Sequence, residues 1–470
     1  MNEHFGLLVP GAAPDPLPHT VCAPYDGAPI GTVDLAGPEA VERALATAHA
    51  LFRDRDAWLA PARRVAVLDR LGALLREERD ALALESAREG GKPLGDSLVE
   101  ADRAINSVRL CAEALRAGHG REVPMNLDAA SAGRLAFTTH EPIGVVVAFA
   151  AFNHPLNLIA HLVGPAVAAG CPVIVKPAEA TPLTCMRFTR LLHEAGLPPE
   201  WCQALVTRDL DLAGALAADR RVAFFNFIGN ARVGWMLRSR LAPGARCALE
   251  LGGAAPVLVA ADADLDAALP LIAKGGFYHA GQVCVSVQRV FVHASVARVF
   301  AERLAEAASR MRVGDPTLRE TEIGPLIRTG EVTRVASWVE KARRGGAGRR
   351  GLAEVGLADD GGAGEQASRS AGDEPAALEH VAAVGHGQRL AHVLLDHQHG
   401  DALVGDAPRD GQQLVDHLRR QAERGFVEHQ QARRAHHGAR HGHHLLLAAA
   451  HGAGVLRGAF GELGKILEDL

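Results

Sequence analysis

Two short stretches in the middle of the chain carry residue types that chemistry can use. Glu250-Leu251-Gly252-Gly253 sets a carboxylate beside a glycine pair that cannot crowd a ligand, and Gly281-Gln282-Val283-Cys284 sets a thiol at the end of a glycine-led loop. A thiol works as a nucleophile when its pKa is lowered and it is accessible; one buried among apolar groups is inert. Cys284 follows Gly281 between an apolar helical stretch and a strand, which suits the first role, whereas Cys22, Cys111, Cys171, Cys185, Cys202 and Cys247 read as small core residues. Glu250 is either a solvated strand end or, with its pKa raised in a partly apolar setting, a general base toward water. Upstream, Asn153 is either a turn residue or an amide donor to an oxyanion. Lys176-Pro177-Ala178-Glu179 closes a strand that otherwise carries no charge. It is a snorkelling lysine with a surface glutamate, or an ammonium and a carboxylate that together grip ribose hydroxyls. Gly229-Asn230 opens a helix straight after a strand, a setting for a pyrophosphate at a helix N-terminus, although the GxGxxG fingerprint is absent.

Such groups must be held by regular elements. Val21 to Val33 alternate around Asp26-Gly27, as a hairpin does. Helical patterns follow over Pro38 to Arg53, Pro61 to Ala87 and Leu94 to Ala117. The period then switches. Strands are expected at Gly144–Ala150, Pro172–Lys176, Cys202–Val206 and Val222–Phe227, alternating with helices from about Pro155, over Pro182–Ala195, near Leu210–Ala217 and over Asn230–Leu241. That rhythm predicts an α/β fold with a doubly wound parallel sheet, which binds ligands at the carboxyl ends of its strands. Asn153, Lys176 and Gly229 fall there. A second α/β segment starts near Leu249, with strands Pro256–Val259 and Gln288–His293, helices Leu265–His279 and Val296–Met311, and one more helix over Glu331–Arg344.

Composition excludes several classes. A chain of 470 residues suits two or three domains, and with 48% hydrophobic but 4% aromatic residues its core must be built from Ala, Val and Leu. A formal charge of -5 offers no basic face for nucleic acid. Seven dispersed cysteines without CxxC spacing fit a reducing compartment. Met1-Asn2-Glu3-His4-Phe5 shows no basic stretch leading into an apolar run, so no signal peptide is expected. The apolar window Leu156–Val175 is cut by Gly164-Pro165 and Gly170-Cys171-Pro172 into a buried helix and a strand rather than a membrane span. A soluble, cytoplasmic protein follows, with neither nucleic acid nor membrane as partner.

Beyond about Gly345 the character changes. This stretch holds 13 of the 23 histidines, one lysine (Lys465) and neither Trp nor Tyr, and no β-branched run breaks its Gly, Ala, Arg, Gln and His. A helix is expected from Leu414 to Gln431. The run His436-His437 through His443-His444 is a metal site or an adventitious binder, and without a Cys or carboxylate partner no metal is assigned to it. The leading reading is that residues 345–470 translate a GC-rich gene in a non-native frame, or join foreign sequence.

Residues about 20 to 344 resemble the aldehyde dehydrogenase superfamily. Phe152-Asn153-His154-Pro155, Lys176-Pro177-Ala178-Glu179, Phe227-Ile228-Gly229-Asn230, Glu250-Leu251-Gly252-Gly253 and Gly281-Gln282-Val283-Cys284 occur in that family's order and spacing. The resemblance implies an NAD-binding domain over 1–248 (with the N-terminal helices and hairpin), a truncated catalytic domain over 249–344 and the atypical tail. It implies Cys284 as nucleophile, Glu250 as the base for deacylation, and Asn153 with the Cys284 backbone N–H as the oxyanion hole. Lys176 and Glu179 would hold the adenosine ribose, and Gly229 and Asn230 would lie at the pyrophosphate. Glu179 would repel a 2′-phosphate, favouring NAD over NADP. Asn230 stands where a serine is usual. Presence of the Glu favours release of a carboxylate over transfer to coenzyme A. The segments Gly276 to Arg289 and Trp201-Cys202-Gln203 resemble the lactaldehyde dehydrogenase-like branch, implying a small, polar aldehyde as substrate, and the family implies a homo-oligomer. The family's Glu-x-Phe-Gly-Pro element, whose Glu holds the nicotinamide ribose, has no match near residues 370 to 390; Gly372-Asp373-Glu374-Pro375 comes nearest. A relative that binds cofactor and turns over little is therefore the alternative.

Overall fold

Proline and glycine punctuate the N-terminal part of the chain, and the elements obey them. The computed structural model describes residues 3–344, all within the unit Met1–Leu403. Strands β1 (Glu3–Phe5), β2 (His19–Cys22) and β3 (Pro29–Val33) form a small sheet, β1 parallel and β2 antiparallel to β3. The expected hairpin turns at Asp26-Gly27, where Gly27 takes a φ of 74° and the Asp26 carboxylate accepts the Ala28 N–H at 2.9 Å.

Helices α1 (Pro38–Arg53), α2 (Pro61–Glu77), α3 (Arg79–Gly90) and α4 (Leu94–Ala117) follow. Proline opens α1 and α2, where its missing N–H would be unpaired anyway. The single helix expected over Pro61–Ala87 is two. Arg76-Glu77-Glu78-Arg79-Asp80 offers no apolar side chain to a core, and Glu78 leaves helical geometry at ψ 8°. A short ribbon, β4 (Glu122–Val123) with β5 (Ala136–Phe137), precedes the main sheet.

That sheet is wound from β6 (Val145–Phe149), α5 (Asn157–Ala169), β7 (Val173–Lys176), α6 (Leu183–Glu194), β8 (Cys202–Ala204), α7 (Leu210–Ala218), β9 (Val222–Ile228), α8 (Ala231–Arg238) and β10 (Arg246–Glu250). Its five strands are all parallel, in the order β10-β9-β6-β7-β8. The winding therefore reverses between β6 and β9. Every residue of β6 is buried, as a strand covered on both faces requires. Val146 and Ala148 pack with α2, α4, α5 and α6 residues such as Leu71, Ala104, Val163 and Phe188. Val145, Val147 and Phe149 pack on the other face with Leu45 of α1 and Leu216 of α7. The doubly wound architecture is thus present, with helices on both faces.

Beyond it, β11 (Pro256–Val259) and β12 (Arg289–Val292) pair in parallel under α9 (Leu265–Phe277) and α10 (Ala294–Ser309), around Val259, Leu269, Ile272, Phe300 and Leu304. Helix α11 (Thr329–Arg344) ends the described part. Among the described residues no helix is long and apolar enough to cross a membrane. The expected helix Leu414–Gln431, the histidine run and Gly372-Asp373-Glu374-Pro375 lie outside the described residues.

Candidate active site

The carboxyl end of β6 leads through Ala150 to Phe152 into Asn153, just before α5. The Asn153 side-chain amide donates to the carbonyl of Gln282 at 2.8 Å, two residues before Cys284. A carboxamide nitrogen carries two hydrogens, so one remains to donate elsewhere. Its Oδ1 is buried with no hydrogen-bond partner among the described residues.

The cysteine loop is held in an unusual backbone shape. Helix α9 was expected to run to His279 but stops at Phe277, because His279 (φ 48°), Ala280 (φ 53°) and Gly281 (φ 72°) are left-handed in succession. Two of these are not glycine, and such a conformation persists only where surroundings impose it. Gln282 imposes much of it. Its buried side chain donates to the carbonyls of His279 (3.2 Å) and Pro325 (3.3 Å) and accepts the Ile327 N–H at 2.9 Å. Cys284 emerges from this loop exposed to solvent.

Glu250 ends β10, an edge strand. Its backbone carbonyl accepts the Gly229 N–H at 3.0 Å. Three residues on, a Cβ placed on Gly253 would fall well inside 3.0 Å of the Cys284 carbonyl oxygen, so only glycine lets the two segments meet. The Glu250 carboxylate is exposed and makes no hydrogen bond or ion pair among the described residues. Of the two settings the sequence left open, a solvated strand end and a partly apolar one, the exposed carboxylate fits the first, as no described element covers the end of this edge strand. Across from it, burial lowers the pKa of His161 while the Glu250 charge opposes the shift.

Lys176 ends β7. Its ammonium donates to the Pro177 carbonyl at 3.3 Å and lies 5.7 Å from the centre of the Phe149 ring. Burial lowers its pKa and Glu179 opposes this. The half-exposed Glu179 carboxylate has Arg208 and Arg328 each 4.0 Å away. Gly229 packs on the Phe227 ring so closely that a Cβ would lie 2.7 Å from Cζ. Asn230 caps α8, its Oδ1 accepting the Arg232 N–H at 2.8 Å, which is the work a serine would do. Asn153 thus bonds to Gln282 of the cysteine loop, Gly253 lies against the Cys284 carbonyl and Gly229 bonds to the Glu250 backbone, while Lys176 and Glu179 follow the neighbouring strand β7.

Sequence reasoning missed three residues here. Lys92 is fully buried, and its ammonium pairs with the buried Glu100 carboxylate, which also accepts the Leu156 and Asn157 N–H groups at 2.9 Å each. The same ammonium reaches Nδ1 of His154 at 3.2 Å and the Asn153 carbonyl at 3.5 Å. Burial pushes the Lys92 pKa well below its usual value, and burial with the Lys92 and Arg103 charges pushes His154 down to about 2. The legible signal was Glu100, a charge standing in the otherwise small, apolar stripe of Ala101, Ala104 and Val108 on α4.

A doubly wound parallel sheet with an amide donor, a lysine and a glutamate following its strand ends, and an exposed thiol two residues from the carbonyl that the amide bonds, has the architecture of an α/β enzyme. The profile of the aldehyde dehydrogenase family matches residues 14–351, and the chain belongs to that family, and so to the oxidoreductases acting on aldehydes. It is 37% identical over 323 residues to 3-sulfolactaldehyde dehydrogenase of Priestia aryabhattai, covering 69% of this chain and 67% of that protein. Two solved structures are also similar. The NAD-dependent aldehyde dehydrogenase of Sinorhizobium meliloti has a TM-score of 0.69 at 31% identity, covering 75% of this chain and 72% of that one. Glyceraldehyde-3-phosphate dehydrogenase of Methanocaldococcus jannaschii, complexed with NADP, has a TM-score of 0.67 at 31% identity, with 72% of each chain covered. The family match ends within a few residues of the compositional change near Gly345.

Proposed function

We propose that the protein oxidises a small, polar aldehyde to its carboxylate with NAD, through a thioester on Cys284. The observation that carries this reading is the meeting of three distant segments, where Asn153 bonds to Gln282 and Gly253 lies against the Cys284 carbonyl. The Cys284 thiolate attacks the aldehyde carbon, and the resulting oxyanion sits against the second Asn153 amide hydrogen and the Cys284 N–H. NAD, held by Lys176, Glu179, Gly229 and Asn230, would supply the hydride acceptor for this carbon. The remaining thioester is opened by water, whose proton passes to Glu250 while the thiolate departs. The exposure of the Glu250 carboxylate leaves water free to reach it.

The residues present fit a dinucleotide. Lys176 and Glu179 stand at the end of β7, and the N-terminus of α8 is approached through Gly229, where a Cβ would already clash. Glu179 disfavours a 2′-phosphate, although Arg208 and Arg328 offset part of its charge, so NAD is the better cofactor and NADP the poorer one. The described relatives include both kinds. Resemblance to 3-sulfolactaldehyde dehydrogenase supports a small polar aldehyde, and the family supports a cytoplasmic homo-oligomer. On this reading residues 1–248 bind cofactor and 249–344 carry the nucleophile. Turnover of small aldehydes, followed by reduced-cofactor absorbance and abolished in Cys284→Ala, supports the reaction; turnover that survives the substitution sinks it.

The end of the family match at residue 351 favours one competing reading, a relative that binds cofactor without turnover. Soluble protein that binds NAD but oxidises no member of an aldehyde panel would establish it. We also infer that residues 345–470 are translated out of frame or join foreign sequence. Resequencing the gene around codon 345 decides this, since an alternative frame should restore Glu-x-Phe-Gly-Pro.

A further inference from the structure

We propose that the buried Lys92–Glu100 pair is the positioning clamp for Asn153, holding the turn that carries this amide from both sides; this rests on the role given to Asn153 above. Residues 153 to 157 form the turn into α5, whose first N–H groups need acceptors from outside the helix. Pro155 has no N–H to donate, and the first N–H groups of any helix lack intrahelical acceptors. Glu100, from α4, accepts two of them, Leu156 and Asn157, on one oxygen at 2.9 Å each. Its other oxygen pairs with the Lys92 ammonium. That ammonium spends its remaining donors on the preceding two residues, at the Asn153 carbonyl (3.5 Å) and Nδ1 of His154 (3.2 Å). The clamp thus touches four of the five residues of the turn and skips only the proline.

Lys92 is itself pinned. Gly91 ends α3 with a φ of 73°, Pro93 leads into α4, and Gly324 packs so tightly that its Cβ would fall well inside 3.0 Å of the Gly91 carbonyl. One and three residues beyond Gly324, Pro325 and Ile327 give Gln282 its partners. One loop therefore braces the lysine that sets Asn153 and the glutamine whose carbonyl Asn153 bonds. Both sides of the Asn153–Gln282 contact are fixed from the same place. The stacking of His154 on Tyr278, 5.8 Å between ring centres and 25° apart, adds a second tie between the turn and the approach to the cysteine loop.

A clamp that only stabilised the fold would raise stability without caring what Asn153 does. Three measurements on the full chain separate the two. In the unaltered protein, hydrogen exchange at the Leu156 and Asn157 amides is expected to be as slow as in β6, although both sit at a helix start. Fast exchange there overturns the proposal, and needs neither a variant nor turnover. In Lys92→Met, and more weakly in Glu100→Gln, exchange over 153–157 should speed up while β7 and β9 keep their protection; unchanged exchange at 153–157 also overturns it. Finally, kcat should fall about a hundredfold in Lys92→Met with the KM for NAD unchanged, as expected when a reacting group is displaced by an ångström. Lys92→Met combined with Asn153→Ala should be no slower than Asn153→Ala alone. Losses that multiply instead would refute the clamp, whereas full activity of Asn153→Ala would refute the oxyanion role and leave the exchange result standing.

Discussion

Replacing Gly253 by alanine is the smallest change that tests whether the Glu250 and Cys284 segments work as one site. The added methyl would start well inside 3.0 Å of the Cys284 carbonyl oxygen, a separation real Cβ atoms do not adopt. Both neighbours are backbone, so neither can swing aside as a side chain would. Nor is φ at Gly253 in the left-handed region, so the cost comes from the contact and not from strain at the residue itself. The cysteine loop must retreat by something on the order of 0.5–1 Å, and displacements of that size cost roughly a hundredfold in rate when they fall on reacting atoms. We expect kcat for a small aldehyde to drop by about that factor, with the thermal midpoint lowered by only a few degrees. Alkylation of Cys284 by iodoacetamide should persist, since the thiol stays exposed. Initial rates of reduced-cofactor formation, paired with circular dichroism, provide the assay. Wild-type kcat in a folded Gly253→Ala protein would refute the coupling of the two segments.

Other outcomes follow from the same geometry. Glu179→Gln removes the charge that repels a 2′-phosphate but keeps Arg208 and Arg328 nearby, so the preference for NAD over NADP in kcat/KM should fall roughly tenfold; an unchanged ratio would place cofactor choice elsewhere. His154 stays neutral in the folded protein down to about pH 2, while in the unfolded chain it protonates near its ordinary 6.5. The unfolded state then binds the extra proton, so this residue's contribution to stability is present above pH 6.5 and is lost as the pH falls below it. His154→Phe should flatten the fall in thermal midpoint between about pH 6.5 and 4, and an equally steep fall would contradict the burial argument. Gln282→Leu removes the three bonds that hold the left-handed run at His279 and Ala280, so proteolysis or hydrogen exchange over 278–286 should accelerate without loosening of β6; unchanged exchange there would show that the run is imposed by other contacts.

Much of the scaffold was legible because its punctuation is local. Helix α1 starts at a proline, α4 runs between Pro93 and Gly118, and the all-apolar Val145–Phe149 could only be a strand covered on both faces. The break at Glu78 was not legible, since Arg76 to Arg79 are good helix formers and only the missing core contact stops them. The family resemblance pointed to Asn153 and Cys284 together, but not to the Gln282 carbonyl as the atom Asn153 bonds, because that depends on a left-handed loop built partly from non-glycine residues. Lys92 and Glu100 belong to no motif picked out in the sequence; only packing reveals that both are buried on the Asn153 turn. For Glu250 the sequence left a solvated strand end and a partly apolar setting both open, and the exposed carboxylate at the edge strand β10 fits the first.

The central claim is a thioester on Cys284 that Glu250 helps to open. Its most direct test is the intact mass and peptide map of Glu250→Gln, quenched after mixing with NAD and a small aldehyde. The account predicts an acyl adduct that accumulates on the peptide containing Cys284 and is missing from Cys284→Ala. An adduct on another cysteine, or none while aldehyde is still oxidised, would contradict it.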